Sequence, residues 1–215
     1  MRITSATWIA TVLVAVTAGI ALWAWTALPN GVPVNYLGLD GHRHLQSSRS
    51  ALALIPLIAA FVTATLTLAP TLGGRGAERA AKPLDITVIG VAGLLLVIEV
   101  TLIARALDPA FNVMRPAAIA TGVLLLGMGN YLGKARQNAF FGLRTPWTLA
   151  DATVWDKTHR FTGLGMVLGG LALIALGFLL HDGNALGLAI GACVALPILA
   201  GVARSASLHR NPQGG

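Results

Sequence analysis

The chain has 215 residues, 55% of them hydrophobic, and only 11% charged (15 Lys+Arg, 8 Asp+Glu), against about 25% in an average soluble domain. With a mean hydropathy of +0.74, too few polar side chains remain to clothe a water-soluble surface. Composition therefore excludes a cytosolic enzyme, a secreted disulfide scaffold and a disordered tail. The single cysteine, Cys193, lies in an apolar run, so neither a disulfide framework nor a cysteine-built zinc site is expected.

Six apolar stretches are predicted to be transmembrane helices: Thr7–Leu28, Ala51–Pro70, Leu84–Ala106, Pro116–Gly133, Phe161–Leu180 and Ala185–Ala203. At about 1.5 Å rise per residue each is long enough to cross a hydrocarbon core of about 30 Å, the fourth being near the lower limit. The first stretch exceeds the length of a signal-peptide apolar region and only Arg2 precedes it, so it reads as a retained span. The predicted fold is an all-α integral membrane protein, a bundle of six transmembrane helices. It divides into residues 1–106 with a long loop at 29–50, and residues 107–215 with a long loop at 134–160.

Cation placement sets the expected orientation. With the amino terminus in the cytoplasm, Arg2, Arg75, Arg79, Lys82, Lys134, Arg136, Arg144, Lys157, Arg160, Arg204 and Arg210 lie inside, and only Arg43, Arg49, Arg105 and Arg115 lie outside. The positive-inside rule then places both termini in the cytoplasm, and it accounts for the +7 charge without nucleic acid. All five tryptophans (Trp8, Trp23, Trp25, Trp147 and Trp155) read as interfacial belt residues.

Lipid tails are as apolar as leucine, so helices in a bilayer associate through close packing of small residues. Gly183, Gly187 and Gly191, extended by Ala195, form such a ridge on the sixth helix. Gly165 with Gly169, and Gly129 with Gly133, offer shorter ones. These glycines are expected to pack helices within the chain, with a dimer face as the alternative. The four-residue linker His181–Asn184 requires an antiparallel hairpin of the last two helices.

The first long loop, 29–50, is turn-rich, with Asn30-Gly31 and Asp40-Gly41, and is external in this topology. Val32, Val34, Tyr36 and Leu37 could lay it back on the bundle. Asp40, His42 and His44 are potential metal ligands, and solvated histidines are the favoured reading; no cofactor is expected. In the second long loop, Thr148 followed by Asp151 resembles a helix N-cap with its acidic partner. From there a helix would run through Trp155, with Asp156 and Arg160 spaced to pair on its surface.

Asn130-Tyr131, Gly133-Lys134, Asn138, Phe141-Gly142, Arg144-Thr145-Pro146-Trp147-Thr148, Trp155 and Thr158-His159-Arg160 occur in an order and spacing that resembles the signature of the SdpI family. The resemblance covers about residues 115–203. The amino-terminal half resembles a small domain of unknown function that often precedes it, with Leu28-Pro29 and Val32-Pro33 in place and Asn35 where a histidine is usual. Members are bacterial multi-pass membrane proteins. The resemblance implies immunity to a secreted antimicrobial peptide toxin, and signalling by holding a cytosolic transcriptional repressor at the membrane. It makes Asn130, Asn138, Gly142, Arg144, Thr145, Pro146, Trp147, Thr148, Trp155, Thr158, His159 and Arg160 the expected partner-binding surface.

One residue points elsewhere. Glu99 lies two-thirds along the third span, where a carboxyl is expensive and is expected to face the bundle interior, either protonated or bonded to a hydroxyl such as a threonine of the second span. With the repeated layout of span, long loop and paired spans, it supports the alternative of a small proton-linked transporter built from two inverted halves. No nucleophile elbow, zinc-protease motif, phosphate loop or paired acids occur, so an enzyme is not expected.

Overall fold

The computed structural model describes residues 4–28, 30–37, 43–72, 77–138 and 140–210, and of residues 34–37, 43–46, 69–72 and 77–79 the backbone alone. The elements in chain order are α1 (Ser5–Ala27), β1 (Val32–Leu37), β2 (Arg43–Ser48), α2 (Ser50–Leu72), α3 (Ala77–Leu107), α4 (Met114–Leu132), α5 (Pro146–Ala150), α6 (Ala152–Leu179) and α7 (Gly183–Arg210). Five of the helices, α1, α2, α3, α6 and α7, are long and apolar enough to cross a membrane. The 19-residue α4 falls outside that set. It carries Arg115 in its first turn and Asn130 in its last, so the apolar length between its polar ends is short. The all-helical membrane class stands, and a count of six spans is not shown.

Helices α1, α2 and α3 pack on one another. Ala10 of α1 clusters with Val88 and Ala92 of α3, and Ala24 clusters with Ile103, so α1 and α3 run the same way. Leu52 of α2 joins the Ala24–Ile103 cluster while Leu66 packs against Ala10 and Val88, so α2 runs opposite to both. Thr4 caps the start of α1 and donates its hydroxyl to Asp85 Oδ1 at 3.0 Å, pinning α1 to α3. Within the helices, threonine hydroxyls of Thr17, Thr67, Thr87 and Thr101 bond carbonyls on the preceding turn of their own helix, which satisfies them where no water is at hand.

The first long loop folds as a β-hairpin, which its turn-rich composition did not reveal. Strands β1 and β2 pair antiparallel with Val32 opposite Ser48 and Leu37 opposite Arg43. Gly31 adopts φ +76°, and a Cβ there would collide with the Ser48 backbone, so only glycine fits. Val32 is fully buried against Ala24, Leu52 and Ile103, laying the hairpin base on the bundle as expected. Arg49 donates to the Trp25 carbonyl at 2.6 Å and sits 5.0 Å from the Trp25 ring, fastening the hairpin exit to the end of α1. Asp40 and His42 lie outside the described residues, and only the backbone of His44 is described.

In the second half α4, α6 and α7 are antiparallel in turn. A Cβ on Gly122 or Gly129 would lie 2.6 Å from the carbonyl of Gly170 or Gly163, and the reverse pairs are as tight. Backbone therefore meets backbone along the whole α4–α6 seam. Gly165 and Gly169 instead face Pro197 and Cys193 of α7. The Gly183–Gly187–Gly191 ridge packs within the chain only at Gly183, where a Cβ would lie 3.5 Å from the Met114 side chain; among the described residues a Cβ on Gly187 or Gly191 would meet nothing within 4 Å. Periodic glycines mark a face that can approach closely, but not which faces do.

Trp8, Trp23 and Trp25 are exposed at 62%, 56% and 39%, as belt residues must be. Trp155 is fully buried, so the belt reading fails for it.

Candidate functional site

The signature residues converge on the polar end of the α4–α6–α7 bundle. After α4, the chain is turned back by Asn138, a buried side chain whose Oδ1 accepts from the amides of Phe140 and Phe141 and whose Nδ2 donates to the Arg136 carbonyl, all at 2.8 Å. Phe141 is thereby carried into the main hydrophobic cluster with Leu132, Ala135 and Met166. Asparagine suits this role because its amide supplies both acceptor and donor at short range.

Gly142 follows with φ +108°, and a Cβ there would collide with His159 Nε2. This close approach lets the Leu143 amide donate to His159 Nε2 at 3.0 Å. Since Nε2 accepts, the proton of the neutral ring sits on Nδ1, which donates to the Trp155 carbonyl at 2.8 Å. The His159 and Trp155 rings stack with centroids 3.9 Å apart and 16° between planes, and Trp155 Nε1 donates to the Ala135 carbonyl at 2.7 Å. Two adjacent turns of α6 thus hold both ends of the loop, one at Ala135 and one at Leu143.

The helix start read at Thr148 lies elsewhere. Thr145 is the N-cap of the short α5, Pro146 occupies its first turn, and Thr148 completes a reciprocal capping box with Thr145. Thr148 is fully buried and also donates to the Leu143 carbonyl at 2.7 Å. Asp151 is the N-cap of α6, accepting from the amides of Thr153 and Val154. The TPWTLAD stretch therefore encodes two caps six residues apart, and α6 begins at Ala152 and runs through Trp155 into the fifth span as expected, with Asp151 and not Thr148 as its cap. Asp156 and Arg160 both lie on its exposed side.

The amides of Thr153 and then Val154 hold the Asp151 carboxylate below its ordinary value. Its folded value is depressed, so the cap is in force above about pH 4 and is lost as pH falls through the lower value. Protection of the Thr153 and Val154 amides from hydrogen exchange, taken relative to the unstructured rate at each pH, is expected to fall on acidification in the wild type. Asp151→Asn keeps a capping oxygen and is expected to remove that pH dependence.

Sequence reasoning missed three partners of the loop. Gln137 donates to the carbonyls of Thr148 and Leu149, each at 2.8 Å, closing the end of α5. Ser205 of α7, fully buried, accepts from the Thr145 hydroxyl at 3.2 Å. His209 of α7 faces Trp147, ring centroids 6.4 Å apart. Only position in space gives these residues meaning, since no local spacing marks a glutamine or serine that bonds across a loop.

The signature thus separates into two sets. Asn138, Gly142, Thr145, Thr148, Trp155 and His159 build the loop through its hydrogen bonds. Thr158 is fully buried beside them, with its hydroxyl unpartnered among the described residues. Asn130, Arg144, Pro146 and Arg160 are exposed, and Trp147 is half-buried. Glu99 belongs to neither set. It lies fully buried on the face of α3 that carries Ala92 and Ile103 toward α1 and α2, and both its oxygens lack a partner among the described residues. The expected bond to a threonine of α2 is not made.

Fold and site together define a multi-pass helical membrane protein with an internally hydrogen-bonded polar loop folded over one end of a three-helix unit. Residues 134–203, about a third of the chain, match the model of the SdpI/YfhL protein family. The chain is similar to the "Immunity protein SdpI" of Bacillus subtilis (strain 168), 34% identical over 85 residues, which are 40% of this chain. The match spans 41% of that relative's length. No solved structure gives a significant match.

Proposed function

We infer that this chain is an immunity and signalling receptor of the SdpI type, protecting its bacterium against a secreted antimicrobial peptide and holding a cytosolic repressor when the peptide is present. The observation that carries this reading is the 34% identity to an immunity protein over 85 residues, beside the family-model match over residues 134–203, which include the signature loop. The architecture is consistent with it: the buried half of the signature stiffens the loop and the exposed half, with Arg144 and Arg160, presents cations and Pro146 to a partner. A rigid platform loses little entropy on binding. The reading includes six spans with α4 as the fourth, both termini cytoplasmic, an amino-terminal unit 1–106 and an SdpI-like unit 107–215. The loop then faces the cytosolic partner and the hairpin faces the peptide.

A second reading, a small proton-linked transporter, draws on Glu99, a buried carboxyl without a partner among the described residues. Such groups are costly and are kept at sites of ion or proton passage.

Survival of a sensitive bacterium challenged with membrane-active peptides separates the two at matched membrane levels of each variant. Arg144→Ala and Trp147→Ala are expected to lose protection with α-helical content and thermal stability near wild type, while Glu99→Gln keeps it. Protection lost in Glu99→Gln alone would shift the assignment to proton-linked export. A wild-type chain that protects against none of the peptides would remove the immunity reading.

A further inference from the structure

Between α3 and α4 runs an apolar groove of about 640 Å³, lined by Ile86, Gly90, Gly93 and Val97 of α3 and by residues of α4 from Pro116 to Gly127, with Leu13 of α1 at its side. Its depth comes from missing side chains. At Gly93 a Cβ would meet nothing within 4 Å. From Ile86 to Val97 the groove extends about 16 Å at 1.5 Å per residue, which is about one leaflet of a hydrocarbon core about 30 Å thick.

At its Pro116–Ile119 end the groove adjoins a second recess of about 580 Å³, and those two residues line both. Among apolar neighbours this recess carries the polar side chains Asn112 and His181 and the cation Arg115, with neither Asp108 nor Asp182 in its lining. The Arg115 guanidinium is held in place by Nε donating to the Gly177 carbonyl at 3.0 Å and Nη2 donating to that of Phe178 at 3.1 Å. Those bonds engage two of its five N–H groups, and a planar guanidinium held at the leaflet boundary suits a phosphate oxygen pair.

We propose that the α3–α4 groove is a binding site for an anionic phospholipid, one acyl chain lying along Gly93 and the phosphate held by Arg115. The continuity of a leaflet-long apolar slot with a fixed cation is what selects this occupant. An apolar peptide helix would not use the cation, and a free phosphate would not use the slot. The inference does not depend on the immunity reading.

The test uses the full chain purified in detergent and supplied with phosphatidylglycerol or phosphatidylcholine of identical acyl chains. The readouts are lipid retained per protomer by native mass spectrometry and the lipid-dependent rise in Tm. Wild type is expected to retain one phosphatidylglycerol, about tenfold tighter than phosphatidylcholine. Gly93→Leu fills the slot and is expected to lose retention of both lipids, whereas Gly187→Leu, on the open face of α7, keeps wild-type behaviour. Arg115→Gln is expected to hold the two lipids equally. Equal retention of the two lipids by wild type, or unchanged retention in Gly93→Leu, overturns the proposal. So do wild-type dimers that dissociate in Gly93→Leu without dependence on either lipid, which would make a second copy the occupant.

Discussion

Trp155→Ala is expected to remove about 3–5 kcal/mol of stability and to dismantle the loop without touching a single exposed residue. The indole is fully buried, and its loss leaves a void under the loop, an orphaned Ala135 carbonyl and a His159 ring without its stacking partner. A buried carbonyl left unpaired costs about 1–3 kcal/mol by itself, and freeing the ring undoes the Leu143 contact that holds the other end of the loop. Trp155→Phe keeps a stacking ring but loses the N–H and part of the buried indole volume, so its cost is expected to lie between that carbonyl figure and the cost of Trp155→Ala. Denaturation in detergent micelles checks both. If Trp155→Ala retained wild-type stability, the indole would be a contact residue rather than the support of the loop.

Gly163→Val is the second large effect. A Cβ at Gly163 would stand 2.6 Å from the Gly129 carbonyl and 3.0 Å from the Gly133 amide, and backbone atoms cannot rotate aside as a side chain can. The α4–α6 seam must open, so the cost is expected to exceed the about 1–3 kcal/mol typical of overpacking. Gly187→Val, in an equally regular glycine series, adds its side chain to open space and is expected to stay within about 0.5 kcal/mol. Cross-linking of cysteines placed on α4 and α6 would report the seam directly: yield falls in Gly163→Val and is unchanged in Gly187→Val. Equal effects of the two would mean that the seam does not hold the unit together.

Much of the helical scheme was legible because the bilayer imposes long apolar runs, and each predicted stretch lies within or across an observed helix. Boundaries were poorest where helices leave the apolar region. Hydropathy ends the fifth stretch at Phe161, and the cap reading extended the helix back past Trp155 to Thr148; α6 starts at Ala152 because Asp151, not Thr148, is its cap. The hairpin of residues 32–48 escaped notice because its strands are short, contain Pro33, and are stabilised by Val32 docking on three helices rather than by alternation.

From the sequence alone came the solvent, the helical class, the family resemblance and the set of residues in the signature loop. These depend on composition and local order, which the chain carries in one dimension. Tertiary structure decided the role of each residue in that set. Trp147 and Trp155 read alike as belt residues, yet one is half-exposed beside His209 and the other is sealed beneath Ala135. Gly163 and Gly187 each sit in a regular glycine series, at seven-residue spacing (163, 170, 177) and four-residue spacing (183, 187, 191), yet one touches backbone and the other nothing. Helix periodicity says which residues share a face, but what covers that face is set by the packing of elements far apart in the chain.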